Sequence, residues 1–393
     1  MHIIHTTSAL TPEFGGPVRT VPALCFELAK LGNRVTVVHL DFGKKLDQIE
    51  LPSHPNLEYI SLPVKFRVGL RPIWIPGYKS TLLNCSANQD DLIFHDNGIW
   101  LPYSRIVLDV ARKIGAKVIT TTHGMLEPWA MSYGRLRKLA GWHLYQRKRL
   151  MENNVLHATS PDEARNLRDL GLTLPITIIP NGTALPGPVD KEIDKKSTKK
   201  TLLFLSRIHP KKGLLNLIQA MAQIKPPDWK VVVAGYDEGG YQKVVKTAVK
   251  DADLEEYFSF PGPIDDRRKW DLYKAADLFI LPSFSENFGL VVAEALAAEL
   301  PVITTKGTPW KDLVDYNCGW WVEPSVAGIA ASLKHAFSLE TKQLKMMGKN
   351  GRELVEDKYS WPAVAVKLNE VYLWMLGKNI EVPDTIQQDS TVE

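Results

Sequence analysis

The chain alternates between short apolar runs and segments in which apolar residues return at helical spacing. Runs of buried-strand type occupy 1–6, 34–39, 92–95, 117–122 and 155–159 in the first half, and 201–205, 230–234, 257–260, 277–281 and 302–305 in the second. Helical periodicity fills 18–31, 214–224, 241–252, 267–276, 289–300 and 361–376. Continuous rather than alternating apolar strands, each followed by a helix, predict parallel sheets covered on both faces. The fold class expected is therefore α/β, with two Rossmann-like doubly wound domains.

Between 183 and 200 the periodicity dissolves into Pro, Gly and alternating charge, ending in Lys195-Lys-Ser-Thr-Lys-Lys200. This reads as a linker. The expected organisation is a first domain over 1–185, a linker over 186–200, a second domain over 201–360, a helix over 361–377 and a loose tail over 378–393.

In open α/β sheets ligands sit at the carboxyl ends of strands, so the strand-to-helix loops are where chemistry is sought. The stretch 281–305 supplies one such unit: a buried strand, the polar loop 283–288, a helix stopped by Pro301, and a second strand. Glu286 lies in its loop and Glu294 about one and a half turns down its helix. A carboxylate accepts two hydrogen bonds and suits a vicinal diol, as on a ribose or hexose, while the free N–H groups of a helix start suit an anion. Ordinary solvated glutamates are the plain alternative. The loop 206–213 of the same half carries Arg207 and Lys212, two cations able to neutralise a diphosphate.

The first half offers Gly15 and Gly16 ahead of a helix that opens on Pro17, a pair that lets backbone approach a phosphate. His123, followed by Gly124, leaves the strand 117–122. Ser160-Pro-Asp-Glu163 reads as a helix N-cap with its box. Asp90-Asp91 and Asp265-Asp266 are acidic doublets of turn character, and neither makes a convincing metal site.

Composition narrows the picture further. The chain has 393 residues, 45% hydrophobic and 23% charged, with a formal net charge of +4. That is ample for two cores and too weakly basic to signal nucleic acid. Three widely spaced cysteines suggest neither a disulfide framework nor zinc. The N-terminal MHIIHTTSAL has neither the basic region nor the apolar run of a signal peptide, and no stretch approaches a membrane span, so a cytoplasmic location is expected.

Charge is concentrated in one segment. From Glu127 to Glu152 no acidic residue intervenes, whereas Arg135, Arg137, Lys138, Arg147, Lys148 and Arg149 are interleaved with Trp129, Tyr133, Trp142 and Tyr145. A basic, aromatic helix of this type suits an anionic membrane surface or a phosphorylated acceptor. Its alternative is a solvated basic face with the aromatics turned inward.

Five motifs in this order carry a resemblance. Gly15-Gly16, His123-Gly124, Ile179-Pro-Asn-Gly182, Arg207-x4-Lys212-Gly213 and Ser285-Glu-Asn-Phe-Gly289, with Glu286 and Glu294 in E-x7-E spacing, resemble a retaining glycosyltransferase of family 4. The likeness spans nearly the whole chain, and the stretch His123-Gly-Met-Leu-Glu-Pro-Trp129 resembles the bacterial polysaccharide-assembly members. Thr183-Ala184 departs from the Val-Asp common in the family.

The resemblance implies the GT-B arrangement of two Rossmann-like domains facing across a cleft, the first taking the acceptor and the second the nucleotide sugar. It assigns Arg207 and Lys212 to the diphosphate, Glu294 to the ribose diol, Glu286 to a hexose hydroxyl, and the amides of Asn287, Phe288, Gly289 and Leu290 to sugar and phosphate. Gly16, beside Gly15, would approach the β-phosphate. His123 would contact the transferred sugar, and backbone around Gly262 and Ile264 would meet the base. The helix 361–377 would return to the first domain.

The activity implied is hexosyl transfer with retention, without metal or cofactor, from UDP-glucose or a related UDP-hexose. A lipid-linked or polysaccharide acceptor is expected, and peripheral contact through the segment 135–149 would place the enzyme at the inner face of the plasma membrane. Two alternatives share the diphosphate site: a sugar-nucleotide epimerase of similar fold, and a non-catalytic nucleotide-sugar-binding protein.

Overall fold

The computed structural model describes residues 1–11, 15–43, 50–68, 71–87, 90–101, 103–132, 134–187, 199–379 and 381–388. The chain divides into two compact units, Met1–Gly182 with Trp361–Glu393, and Thr183–Ser360. Most of the expected linker, 188–198, lies outside the described residues; Lys200 already belongs to a strand.

The first unit is built on β1 (His2–Thr6), β2 (Arg34–Asp41), β3 (Leu57–Pro63), β4 (Leu92–Asn97), β5 (Lys117–Thr121), β6 (Val155–Ala158) and β7 (Ile176–Ile178). They form a parallel sheet in the order β7-β6-β5-β4-β1-β2-β3. Every residue of β1, β4 and β6 is buried. This is why those runs show no polar alternation: helices cover both faces. Helix α1 (Pro17–Lys30) follows β1, and α2 (Pro161–Asp169) follows β6.

The tail corrects one expectation. Ile386–Gln387 pairs antiparallel with β7 at the sheet edge, Ile178 N–H donates to the Thr385 carbonyl at 2.8 Å, and Arg168 donates to the Gln387 carbonyl at 3.0 Å. An exposed edge offers unpaired backbone groups, and the polar tail satisfies them although it has no apolar run to announce a strand. Residues 380 and 389–393 lie outside the described residues.

The second unit carries β8 (Lys200–Leu205), β9 (Trp229–Ala234), β10 (Phe258–Gly262), β11 (Leu278–Leu281), β12 (Val302–Thr305) and β13 (Gly319–Val322). Their order, β10-β9-β8-β11-β12-β13, is all parallel and reverses direction beside β8 and β11. A doubly wound sheet opens a crevice at that reversal. The crossover helices used below are α3 (Leu214–Ala222), α4 (Tyr241–Asp251), α5 (Asp266–Ala275) and α6 (Leu290–Ala297). Phe204, Tyr273, Phe279 and Trp310 anchor one continuous core.

The last helix, α7 (Trp361–Met375), belongs to the first unit. Its Val364, Ala365, Leu368, Val371 and Tyr372 share a core with Val21, Leu24, Cys25 and Leu28 of α1.

Candidate functional site

In the second unit the chain leaving β8 is forced against the end of β11. Gly213 sits at φ +70°, and a Cβ there would lie 2.0 Å from the Pro282 carbonyl oxygen. Only glycine permits both the conformation and the approach. The turn that Gly213 ends, Pro210–Lys212, is capped by His209, whose Nδ1 accepts from Lys211 N–H at 3.1 Å. Phe284 N–H donates to the Lys211 carbonyl at 2.8 Å, which ties the two strand-end loops together.

That closeness brings Lys212 and Glu286 together across 74 residues of sequence. The Lys212 ammonium donates to Glu286 Oε1, and the two side chains are 9% and 13% exposed. Ser283 Oγ donates to the same oxygen at 2.8 Å. Burial raises the Glu286 pKa, but the Lys212 charge and these hydrogen bonds outweigh it and hold the carboxyl below its ordinary value. The group is an anion poised beside a cation.

The loop carrying Glu286 is clamped on its backbone as well. Glu286 N–H donates to the Gly307 carbonyl at 2.7 Å, Trp310 Nε1 to the Phe288 carbonyl at 2.6 Å, and Thr305 Oγ1 to the Ser283 carbonyl. Phe288 and Trp310 pack against Tyr359, their ring centroids 4.7–5.8 Å from its own. Phe288 is thus a buried anchor of the loop. Gly289, at φ +82°, is the N-cap of α6 with no side-chain cap; Leu290 follows it, and Asn287 lies two residues before.

Glu294, on α6, is occupied by residues the sequence reading did not single out. Lys269 Nζ reaches its Oε1 at 2.7 Å and the Tyr273 hydroxyl its Oε2 at 3.0 Å. Lys269 and Tyr273 lie four apart on α5, so a lysine and a tyrosine on one helix face were the available signal. Arg207, expected on the same phosphate as Lys212, is half exposed and bridges Glu238 at 2.8 Å. Gly262, at φ +86°, ends β10, and its carbonyl accepts from Gly235 N–H at 2.9 Å; Ile264 follows, packed partly against the core.

The first unit holds Gly15, Gly16 and His123. Among the described residues, and leaving out the chain neighbours, a Cβ on either glycine would meet no atom within 4 Å. Gly15 has φ +77°, a conformation that favours glycine. His123 follows β5 at φ +48°, and its Nε2 is buried with no hydrogen-bond partner among the described residues. Burial lowers its pKa to about 4, against the raising charge of Glu163.

Beside His123 runs a directed chain of hydrogen bonds. His157 Nε2 lies 2.8 Å from the Ile179 carbonyl, which can only accept, so that nitrogen carries the proton and Nδ1 accepts from Thr121 Oγ1 at 2.8 Å. Thr121 Oγ1 in turn accepts from His95 Nε2 at 2.6 Å, and His95 Nδ1 accepts from the Tyr372 hydroxyl at 2.6 Å. The rings are therefore neutral. Burial lowers the pKa of His95 and His157, with neighbouring histidines adding to the effect on His95.

Comparison with known proteins gives the arrangement a context. Residues 14–185 match the family model "Glycosyltransferase Family 4", and residues 189–354 match "Glycosyl transferases group 1". The alpha-monoglucosyldiacylglycerol synthase of Streptococcus pneumoniae is 26% identical over 323 residues, covering 77% of this chain and 70% of that protein. A GDP-mannose-dependent phosphatidylinositol monomannoside mannosyltransferase of Corynebacterium glutamicum is 28% identical over 290 residues, covering 68% and 72%. The chain spans about half the length of the first curated relatives it matches. The structure of Anabaena HepE in complex with UDP and glucose superposes with a TM-score of 0.68 at 18% identity, over 94% of this chain and 99% of that one. Together with the two Rossmann-like sheets, this makes the fold GT-B.

Proposed function

From the premise of a GT-B chain whose halves match the two glycosyltransferase family models, we propose that the protein moves a hexosyl group from a nucleoside-diphosphate sugar to a lipid-linked or glycan acceptor. The observation that carries the reading is the buried Lys212–Glu286 pair at the sheet's reversal, beside the uncapped start of α6. Lys212 meets the diphosphate with a fixed positive charge and stabilises the charge that grows as it departs. Glu286, kept ionised, accepts hydroxyl hydrogens of the hexose. Glu294, with Lys269 and Tyr273 around it, accepts the ribose diol.

The reaction breaks the bond between the anomeric carbon and the leaving phosphate oxygen and forms one to the acceptor oxygen on the same face. The acceptor's proton passes to the departing phosphate, so configuration is retained, and the reading needs no side-chain base and no metal. Uridine is the base favoured, on the likeness to a UDP- and glucose-bound neighbour. Backbone at Gly262 and Ile264 would meet that base, Gly15 and Gly16 the phosphates, and His123 the sugar.

The basic segment supplies the acceptor side of the reading. Trp142 and Leu150 turn inward, but Leu136 and Leu144 are 85% and 80% exposed among exposed Arg135, Arg137, Arg147 and Lys148. Apolar side chains set among cations fit the interface of an anionic membrane, where a lipid-linked acceptor would be met. Among the described residues no helix is long and apolar enough to cross a membrane.

The test is incubation with radiolabelled UDP-glucose or GDP-mannose and vesicles containing anionic and isoprenoid-linked lipids. Transfer of label to lipid or glycan by the wild type, lost in Glu286→Ala, supports the reading. Interconversion of the donor sugar without transfer sinks it.

A further inference from the structure

We propose that Glu163 is a positioning residue for His123, holding the backbone of the His123-Gly124 turn so that the imidazole presents its unpaired Nε2 to the transferred sugar. The proposal rests on the role given to His123 above.

Glu163 stands at the third position of α2, where Ser160 Oγ caps the helix by accepting its N–H at 3.1 Å. A capping box would turn the carboxylate back onto the Ser160 N–H. It does not. Oε2 instead takes the N–H and hydroxyl of Thr159, at 2.7 and 2.9 Å. Oε1 reaches the neighbouring strand's loop and takes the Thr122 hydroxyl at 2.6 Å and the Gly124 N–H at 2.5 Å. One carboxylate, 3% exposed, thus fastens the chain leaving β5 to the chain leaving β6, and its two partners after β5 are the residues on either side of His123.

A buried carboxylate is a costly way to cap a helix, since serine alone does that. Its charge is matched here by four donors, and two of them fix a turn that is otherwise unfavourable. His123 holds φ +48°, a region that non-glycine residues enter only when the surroundings impose it. What the imposed turn produces is an imidazole at the wall of the small cavity that Asn97, Thr121 and Asn181 also line. Glu163 touches no reacting atom; it acts through His123 alone.

The experiment is a double-mutant cycle on the full chain, with kcat and KM for transfer from UDP-glucose and calorimetric affinity for UDP. Glu163→Gln keeps size but sets an amide N–H₂ against two donors. The expected result is a kcat about tenfold lower or more, with UDP affinity within twofold, as a displaced contact group predicts. In a His123→Ala background the same change should cost kcat less than twofold, because the group through which Glu163 acts is gone.

If Glu163→Gln does not fold, Thr122→Val removes one of the two bonds to the His123 turn with nearly the same volume, and a several-fold fall in kcat is expected. Wild-type kcat in a folded Glu163→Gln or in Thr122→Val overturns the proposal, as does an equal loss with and without His123. A His123→Ala enzyme with full kcat overturns the sugar contact itself. The case in which His123→Ala is impaired and Glu163→Gln is not overturns only the positioning role.

Discussion

The Tyr372 hydroxyl donates to His95 Nδ1 at 2.6 Å, joining the last helix to the middle strand of the first sheet across 277 residues. Both residues are fully buried. Removing the hydroxyl leaves His95 Nδ1 without its donor in a place water does not reach. Tyr372→Phe is expected to destabilise the protein by about 1–3 kcal/mol, the cost of one unsatisfied buried acceptor. Urea denaturation followed by near-ultraviolet circular dichroism measures it. An unchanged midpoint would show that this buried hydrogen bond adds nothing net to stability.

The buried histidines give the first unit an acid limit. Burial lowers the pKa of His5 to about 3 and of His123 to about 4; burial, Arg34 and the N-terminal charge lower His2 to about 4. His95 and His157 move the same way. A folded pKa below the unfolded 6.5 gives stability that is fully present above pH 6.5. It is lost as pH falls toward the folded value, because the unfolded chain takes up the proton first.

Asp96 opposes this. Burial raises it to about 6, so its contribution grows as pH falls through that value. His2, His5 and His123, each contributing on the order of 1–2 kcal/mol at pH 5, outweigh one aspartate and leave a net loss. Stability to urea should be lower at pH 5 than at pH 7, and equal or greater stability at pH 5 would show that these rings are not held neutral.

Most of the sheet framework was readable because a strand buried on both faces leaves an unbroken apolar run, as in 302–305, where the expected and observed bounds coincide. What escaped was of another physical kind. β3, with the burial of only one residue complete, and the two-residue edge strand near the C-terminus have no such run. At the site, glycines and charged residues at strand ends were visible as types, so Lys212 and Glu286 could be named. Lys269 and Tyr273 share a helix face by their spacing, but that this face meets Glu294 is set by how the helices pack. Glu163 looked like half of a capping box and proved to reach the next loop.

The salt link at the second unit's site predicts a reversal of sign. With Lys212 present, Glu286 titrates below its ordinary value; in Lys212→Ala burial remains and the lysine charge that most opposes it is gone. The Glu286 pKa should then rise, so the variant would lose stability as pH increases, whereas in the wild type this pair's contribution is lost as pH falls. Carbon-detected NMR of glutamate carboxyls follows the titration directly. Transfer should drop by about a hundredfold or more, the usual scale for losing one preorganised charge at a leaving group.

Glu294 is held by two groups that differ in what they supply. Tyr273 gives a neutral hydrogen bond within the core, and Lys269 gives charge at the rim, its side chain 17% exposed. Tyr273→Phe should weaken UDP binding by about fivefold through misorientation of the carboxylate, an effect insensitive to salt. Lys269→Met should change affinity in a way that shrinks as salt rises, because a rim charge is screened. Calorimetric titration of UDP at low and high sodium chloride separates the two, and equal salt dependence in both variants would refute the division.

The closest test of the site's architecture is Gly213. Alanine there faces two obstacles: φ +70°, and a carbonyl oxygen at Pro282 that its Cβ would approach to 2.0 Å. The left-handed conformation alone costs about 1 kcal/mol for a non-glycine residue, and a backbone oxygen at that distance must move. The movement would separate the loops that Phe284 N–H and the Lys211 carbonyl join, and with them Lys212 from Glu286. Gly213→Ala should therefore lose donor affinity as well as stability, by at least tenfold in Kd for UDP-glucose. Gly239→Ala, at φ +71° with no atom of the described residues beyond its chain neighbours within 4 Å of the new Cβ, is the control: it should carry the conformational cost and leave affinity unchanged. Equal affinity in the two variants would show that the close approach at Pro282 does not set the ion pair.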